Sequence, residues 1–384
     1  MLNRIIILLK KITPFLGITA LYFFLGLLIV FLFNYYNPSS LVWAERYNPY
    51  YLLIRWDSIH YLNIVLQGYT GSAVFFPLYP LIVYIFSIFL APVFSGFLVS
   101  FLCLSVALYF LNKLLEETGH KNIKERTIVL LLFFPTAMFF MLVYTESLFL
   151  ALVISFFYYL NRRNWLAAAL IGFFLTLTRN IGSFCWPIYL TALFIAYKNT
   201  EGLRIGKQIV SIIKKKEFLY SFFIPAGFLA FCTYTYFHSG NLFAFLTDQK
   251  NWSGIRSFMW PGETLYNFYK IIFIDSLDKT GLYTFLRIVV IEGGSFLILL
   301  AATIYWIIKK HWPYALYCLL NALLFLCLYP MTSVNRYVVV IFPIFIFLAE
   351  ITKKASWLFY FILAIFFIFF IFNISLFSNG AWVG

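Results

Sequence analysis

The run Arg55-Trp56-Asp57-Ser58-Ile59-His60-Tyr61 concentrates more potential chemistry than any other stretch of this chain. Asp57 is an acid in apolar surroundings. A carboxylate there can take the proton of an attacking hydroxyl as a general base, or hold a cation or a sugar hydroxyl. It can equally cap a helix starting near Ser58, a common task for Asp. Arg55, Trp56, His60 and Tyr61 are its natural partners in contacting a substrate. A second aromatic run follows, Phe75-Phe76-Pro77-Leu78-Tyr79-Pro80, in which two prolines make a stiff turn. Tyr79 and its neighbours suit stacking on a sugar or prenyl chain, or an interfacial aromatic belt.

Three further polar blocks interrupt apolar sequence: Tyr144-Thr145-Glu146-Ser147, then Arg179-Asn180, then Asn335-Arg336-Tyr337. Arg287 and Glu292 lie within another apolar segment. Charges in such places are costly and require a partner or a cavity. Arg179 and Arg336 suit an anionic group such as a lipid phosphate. Internal pairing, Arg179 with Glu146 or Arg287 with Glu292, is the alternative, although Arg336 has no acid near it in sequence. The five cysteines all fall in apolar segments without a C-x-x-C, and the four histidines are scattered, so neither disulfide nor zinc is indicated. No Walker motif and no G-x-G-x-x-G is present.

Composition says what must position these residues. Apolar residues make up 63% of the 384 and charged ones 11%, with 49 Phe, 28 Tyr and 10 Trp. So few charges cannot cover so much apolar surface in water, whereas lipid-facing helices need no such cover. The expectation is an all-α polytopic bundle of about eleven membrane helices, ten to twelve, forming one domain over 1–384. The spans expected are 12–34, 97–115, 127–143, 146–161, 165–181, 184–198, 218–238, 282–308, 312–330, 336–350 and 356–377. The run 12–34 is too long for a signal-peptide core and is read as a retained first helix.

Charge orders the threading. With the amino end cytoplasmic and 74–91 not crossing, the inner loops hold 19 of the 28 Lys and Arg with 6 acids. The outer side then holds the other 9 with 8 acids. Counting 74–91 as a crossing moves Arg162, Arg163 and the basic 198–216 loop outside, against the positive-inside bias. The piece is therefore read as re-entrant or juxtamembrane, within an outer first loop over 35–96. A second outer loop covers 239–281, with Trp252, Trp260, Pro261, Glu263, Asp275, Asp278 and Lys279. The net charge of +14 follows from this membrane bias and does not point to nucleic acid.

In these blocks the chain resembles the mannosyltransferase family that includes the second mannosyltransferase of glycosylphosphatidylinositol anchor synthesis and its prokaryotic relatives. The similarity rests on Trp56 to Tyr61, Gly68-Tyr69 and Phe75 to Pro80, then Phe134-Pro135 with Tyr144 to Phe149. It continues with Leu177 to Gly182, where many relatives have Pro in place of Asn180, and ends with Arg336-Tyr337 and Phe342-Pro343. It covers roughly 1–350. The resemblance implies a GT-C type glycosyltransferase with a catalytic outer first loop. The donor would be a polyprenyl-monophosphate sugar, and the acceptor a lipid, glycan or protein. Asp57 would be the base, Arg179 or Arg336 would meet the phosphate, and Glu146 would orient the site. No cofactor is implied, with a divalent cation left open. The implied location is the plasma membrane, with the active face outside. The rival class is a transporter or flippase for a lipid-linked or anionic substrate. Many transporters show two related halves, and no internal symmetry is visible here.

Overall fold

A chain this apolar can carry its backbone through lipid only as helices, closed barrels aside, because every N–H and C=O must be satisfied internally. The computed structural model is helical almost throughout and describes residues 2–36, 49–69, 73–197, 205–253, 257–273, 286–329 and 333–383. The parts of the two outer loops and of the 198–217 loop beyond these ranges, including Asp275, Asp278 and Lys279, lie outside the described residues, as does the side chain of Arg287.

Among the described residues, six helices are long and apolar enough to cross a membrane. They are Lys10–Phe33, Pro92–Glu117, Asn180–Tyr197, Lys216–Ser239, Val290–Ile308 and Ser356–Ser378. Four shorter apolar helices accompany them: Leu78–Ser87, Glu146–Asn161, Trp165–Thr176 and Trp312–Leu326. The protein is an all-α polytopic membrane protein.

The expected crossings are not all continuous helices. The segment 127–143 is split into Lys124–Leu132 and a 3₁₀ turn, Ala137–Met141, on either side of Pro135. The segment 336–350 is split into Val334–Val338 and Pro343–Ile351. Proline has no N–H to give and its ring collides with the preceding turn, so each break falls beside one. The segment 282–308 starts as a π-helical turn, Leu286–Gly293, before the α-helix Gly294–Ile308. Within 74–91 the helix Leu78–Ser87 has 10 residues, about 15 Å, or half the hydrocarbon thickness.

Glu146–Asn161 is buried on nearly every side and packs between Pro92–Glu117 and Trp165–Thr176. A helix apolar all round belongs at the centre of a bundle. Ser356–Ser378 is peripheral, with Trp357, Tyr360, Phe361 and Ile368 exposed. Close approach on the other flank depends on Gly227, where a Cβ would lie 2.3 Å from the Phe173 carbonyl oxygen. Small residues of this kind let membrane helices touch.

One short antiparallel pair, Ser257–Phe258 with Leu328–Tyr329, ties the second outer stretch to the chain just ahead of Arg336. The two ends of the bundle carry different polar sets. At the end threaded as inner, His120 Nε2 lies 4.0 Å from Glu350 Oε1, and His311 stacks on Tyr314 at 3.9 Å between ring centres. Asp57, Glu146, Arg179 and Arg336 meet at the other end.

Candidate active site

Asp57 opens the helix Asp57–Gln67. Trp56 before it has φ 55°, a left-handed conformation that costs a bulky L-residue about 1–3 kcal/mol. Its indole meets Trp382 edge-on at 5.2 Å. The cap position falls on Trp56, with no side-chain cap bond. The Asp57 carboxylate is directed away from the helix start and accepts from Arg336 Nη1 at 2.6 Å through Oδ2. Oδ1 accepts no hydrogen bond from any described residue.

Arg336 belongs to the five-residue helix Val334–Val338, which also starts from a left-handed residue, Ser333 at φ 67°. Its Nε donates to Glu146 Oε1 at 2.6 Å, and Arg179 Nη1 donates to the same oxygen at 2.9 Å. The result is one continuous chain of charge: Asp57, Arg336, Glu146, Arg179. Its net charge is zero. Side-chain exposure falls from 14% at Asp57 to 8% at Arg336 and 0% at Glu146, with 9% at Arg179. Charges this buried persist only when paired and hydrogen-bonded. The acid that Arg336 lacks locally is supplied by residues 279 and 190 positions away.

Aromatic faces complete the solvation of both guanidinium groups. Arg336 lies over Tyr144 at 4.6 Å and Phe139 at 5.0 Å, and Arg179 lies over Tyr337 at 4.4 Å. Stacking on the planar faces leaves the edges free to donate. Glu146 opens its own helix, where an acid also meets the positive end of the helix dipole. Its Oε2 is buried and, among the described residues, has no hydrogen-bond partner. Such an atom implies water or substrate.

Beside the carboxylates, His60 stacks on Phe75 at 5.2 Å with the planes 13° apart. Tyr61 meets Phe75 and Tyr79 edge-on. Burial lowers the His60 pKa from its ordinary value, and nearby Asp57 partly opposes this. The other expected contacts stand in different positions. Tyr79 is fully buried, with its hydroxyl engaged by Gly96 O and Ser100 of the Pro92–Glu117 helix. Asn180 turns its Oδ1 to the Ile181 N–H, 2.8 Å away. Arg55 is half-buried and offers its carbonyl to the Tyr144 hydroxyl at 3.1 Å.

Two participants were not singled out for the site from sequence. Phe139 is one Phe among 49 and carries no signal of its own. Glu292 accepts the N–H groups of Ser333 and Asn335, both at 2.9 Å, while its expected pairing with Arg287 falls outside the described side chains. Its signal was an acid within an apolar segment.

No family model matches the chain, and no curated protein matches it. It is similar to the solved structure of the oligosaccharyltransferase of Archaeoglobus fulgidus in complex with zinc and sulfate, at 12% identity and TM-score 0.49. The match covers 94% of this chain and 53% of that one, so the present chain spans about half its length.

Proposed function

We propose that the protein is an inverting glycosyltransferase that moves a hexose, mannose in this reading, from a polyprenyl-monophosphate donor to a lipid, glycan or protein acceptor. One observation carries the proposal. Each of the four polar blocks behind the family resemblance contributes one member of the ion chain: Asp57, Glu146, Arg179 and Arg336. Four blocks that served only packing would have no need to join in one buried chain of ion pairs.

The chemistry follows from the free valences. Asp57 Oδ2 is held by Arg336, which leaves Oδ1 for the acceptor hydroxyl. The hydroxyl oxygen of the acceptor attacks the anomeric carbon as the bond from that carbon to the lipid phosphate oxygen breaks, the electron pair of the broken bond leaving with the phosphate. The hydroxyl proton passes to Asp57. Inversion needs one base and a stabilised leaving group, and no covalent nucleophile. A guanidinium has five N–H groups. Arg179 spends one on Glu146 and Arg336 spends two on Glu146 and Asp57, so both keep donors for a phosphate oxygen. Glu146 Oε2 suits a sugar hydroxyl. The proposed site faces outward across the plasma membrane, with the amino terminus cytoplasmic.

The deciding experiment incubates purified protein in lipid nanodiscs with polyprenyl-phosphate mannose and a membrane glycolipid extract, with EDTA and with Mg²⁺ or Mn²⁺ in parallel. Transfer with inverted anomeric configuration is expected. Movement of the donor across proteoliposomes without transfer would instead establish the transporter class.

A further inference from the structure

We infer that Glu292 is a positioning residue: by holding the backbone on either side of Val334, it fixes the short helix that presents Arg336 to Asp57. Glu292 is 3% exposed and comes from the π-helical turn Leu286–Gly293, far from Arg336 in sequence. Its Oε1 accepts the Ser333 N–H and its Oε2 the Asn335 N–H, each at 2.9 Å. The first N–H groups of any helix lack internal partners. A helix of five residues has few internal hydrogen bonds and depends on contacts from outside, and this one starts from the left-handed Ser333. A charged acceptor meeting two of these N–H groups makes strong, directional bonds.

Two more contacts clamp the same backbone. The Thr136 hydroxyl donates to the Asn335 carbonyl at 2.8 Å, and Asn335 Oδ1 accepts the Arg336 N–H at 2.6 Å. The backbone of 333–336 is thus fixed independently of the Arg336 side chain. A rigid root lets a long side chain meet Glu146 and Asp57 with 2.6 Å contacts to both. Displacing a catalytic contact by about 1 Å can cost on the order of 10²-fold in rate. The contacts of Glu292 to Ser333 and Asn335 bear on the reaction through Arg336, the residue they place.

The kinetic arm of the test rests on the proposed glycosyl transfer, and a second arm does not. Glu292→Gln keeps the volume but turns an amide N–H₂ toward one of the two N–H groups. In transfer assays, kcat/KM should fall about 10- to 100-fold, with kcat lowered and donor KM raised in the same direction as in Arg336→Ala, because Arg336 loses its orientation toward both Asp57 and the donor phosphate. Glu292→Gln combined with Arg336→Ala should be no slower than Arg336→Ala alone, since both act on one contact. In hydrogen-exchange mass spectrometry of the same proteins, Glu292→Gln should speed exchange at 333–338 and also at 57–67, the distant helix that Arg336 holds through Asp57. Glu292→Asp, which keeps the charge, should lie between the two and serves if the Gln variant does not fold. Faster exchange confined to 333–338 would reduce Glu292 to a local cap and overturn the inference, as would multiplicative losses in the double variant. A wild-type protein without transfer activity would refute the proposed function alone, leaving the exchange arm to decide on Glu292.

Discussion

Replacing Asp57 by Asn separates base catalysis from structure because the fold sets the two costs apart. Among the described residues Asp57 makes one side-chain hydrogen bond, to Arg336, and Asn can still accept it through its amide oxygen. What is lost is one charge, which leaves Arg336 and Arg179 sharing the single carboxylate of Glu146. Weakening a single hydrogen bond to a charged group costs about 1–2 kcal/mol. The helix start is not at risk, because Asp57 does not cap it. Removing a positioned base lowers the rate by about 10²–10⁴-fold, or roughly 2.7–5.4 kcal/mol of barrier. Purified Asp57→Asn should therefore be membrane-inserted and folded, with a melting temperature a few degrees lower. Sugar transfer per molecule should fall by two to four orders of magnitude, and binding of a fluorescent prenyl-phosphate sugar should be largely retained. Turnover within about threefold of wild type would remove Asp57 from the mechanism and make it a counter-ion for Arg336.

Arg336→Lys should fail to restore function where Arg is required, because one ammonium cannot reproduce the Nε and Nη1 contacts to two carboxylates. Arg336→Ala should lower stability by about 3–5 kcal/mol by stranding buried charge, measured by thermal unfolding in detergent. Gly227→Ala should cost about 1–3 kcal/mol, since its new methyl group would meet the backbone carbonyl of Phe173, which cannot rotate away. An unchanged melting temperature would refute that close approach. His311 has a pKa lowered to about 4, first by burial and then by His120. The unfolded chain takes up that proton below about pH 6.5. Its contribution is therefore complete above pH 6.5 and is lost as the pH falls toward 4, by about 1–2 kcal/mol after solvent screening. His311→Gln should flatten this acid limb in detergent melts, and an unchanged limb would show that other groups carry it.

The sequence by itself determined that the chain lives in lipid. That follows from composition, since 42 charged residues in 384 cannot solvate 63% apolar content. It also marked which residues could do chemistry, because a polar block inside an apolar run is expensive and therefore conspicuous: Asp57, Glu146, Arg179 and Arg336 all stood out on that ground. Helix breaks at Pro135 and Pro343 were written in the chain but read through, because hydropathy averages over a window while proline acts on one hydrogen bond. The identity of the partners belonged to tertiary structure alone. Arg336 reaches Asp57 across 279 residues, and Glu292 serves the backbone of 333–335. No local pattern encodes either contact, because both arise only when separate helices pack. Which carboxylate oxygen is engaged was decided there too: Arg336 takes Asp57 Oδ2, and among the described residues none donates to Oδ1, which follows from the approach of two helix ends rather than from any motif.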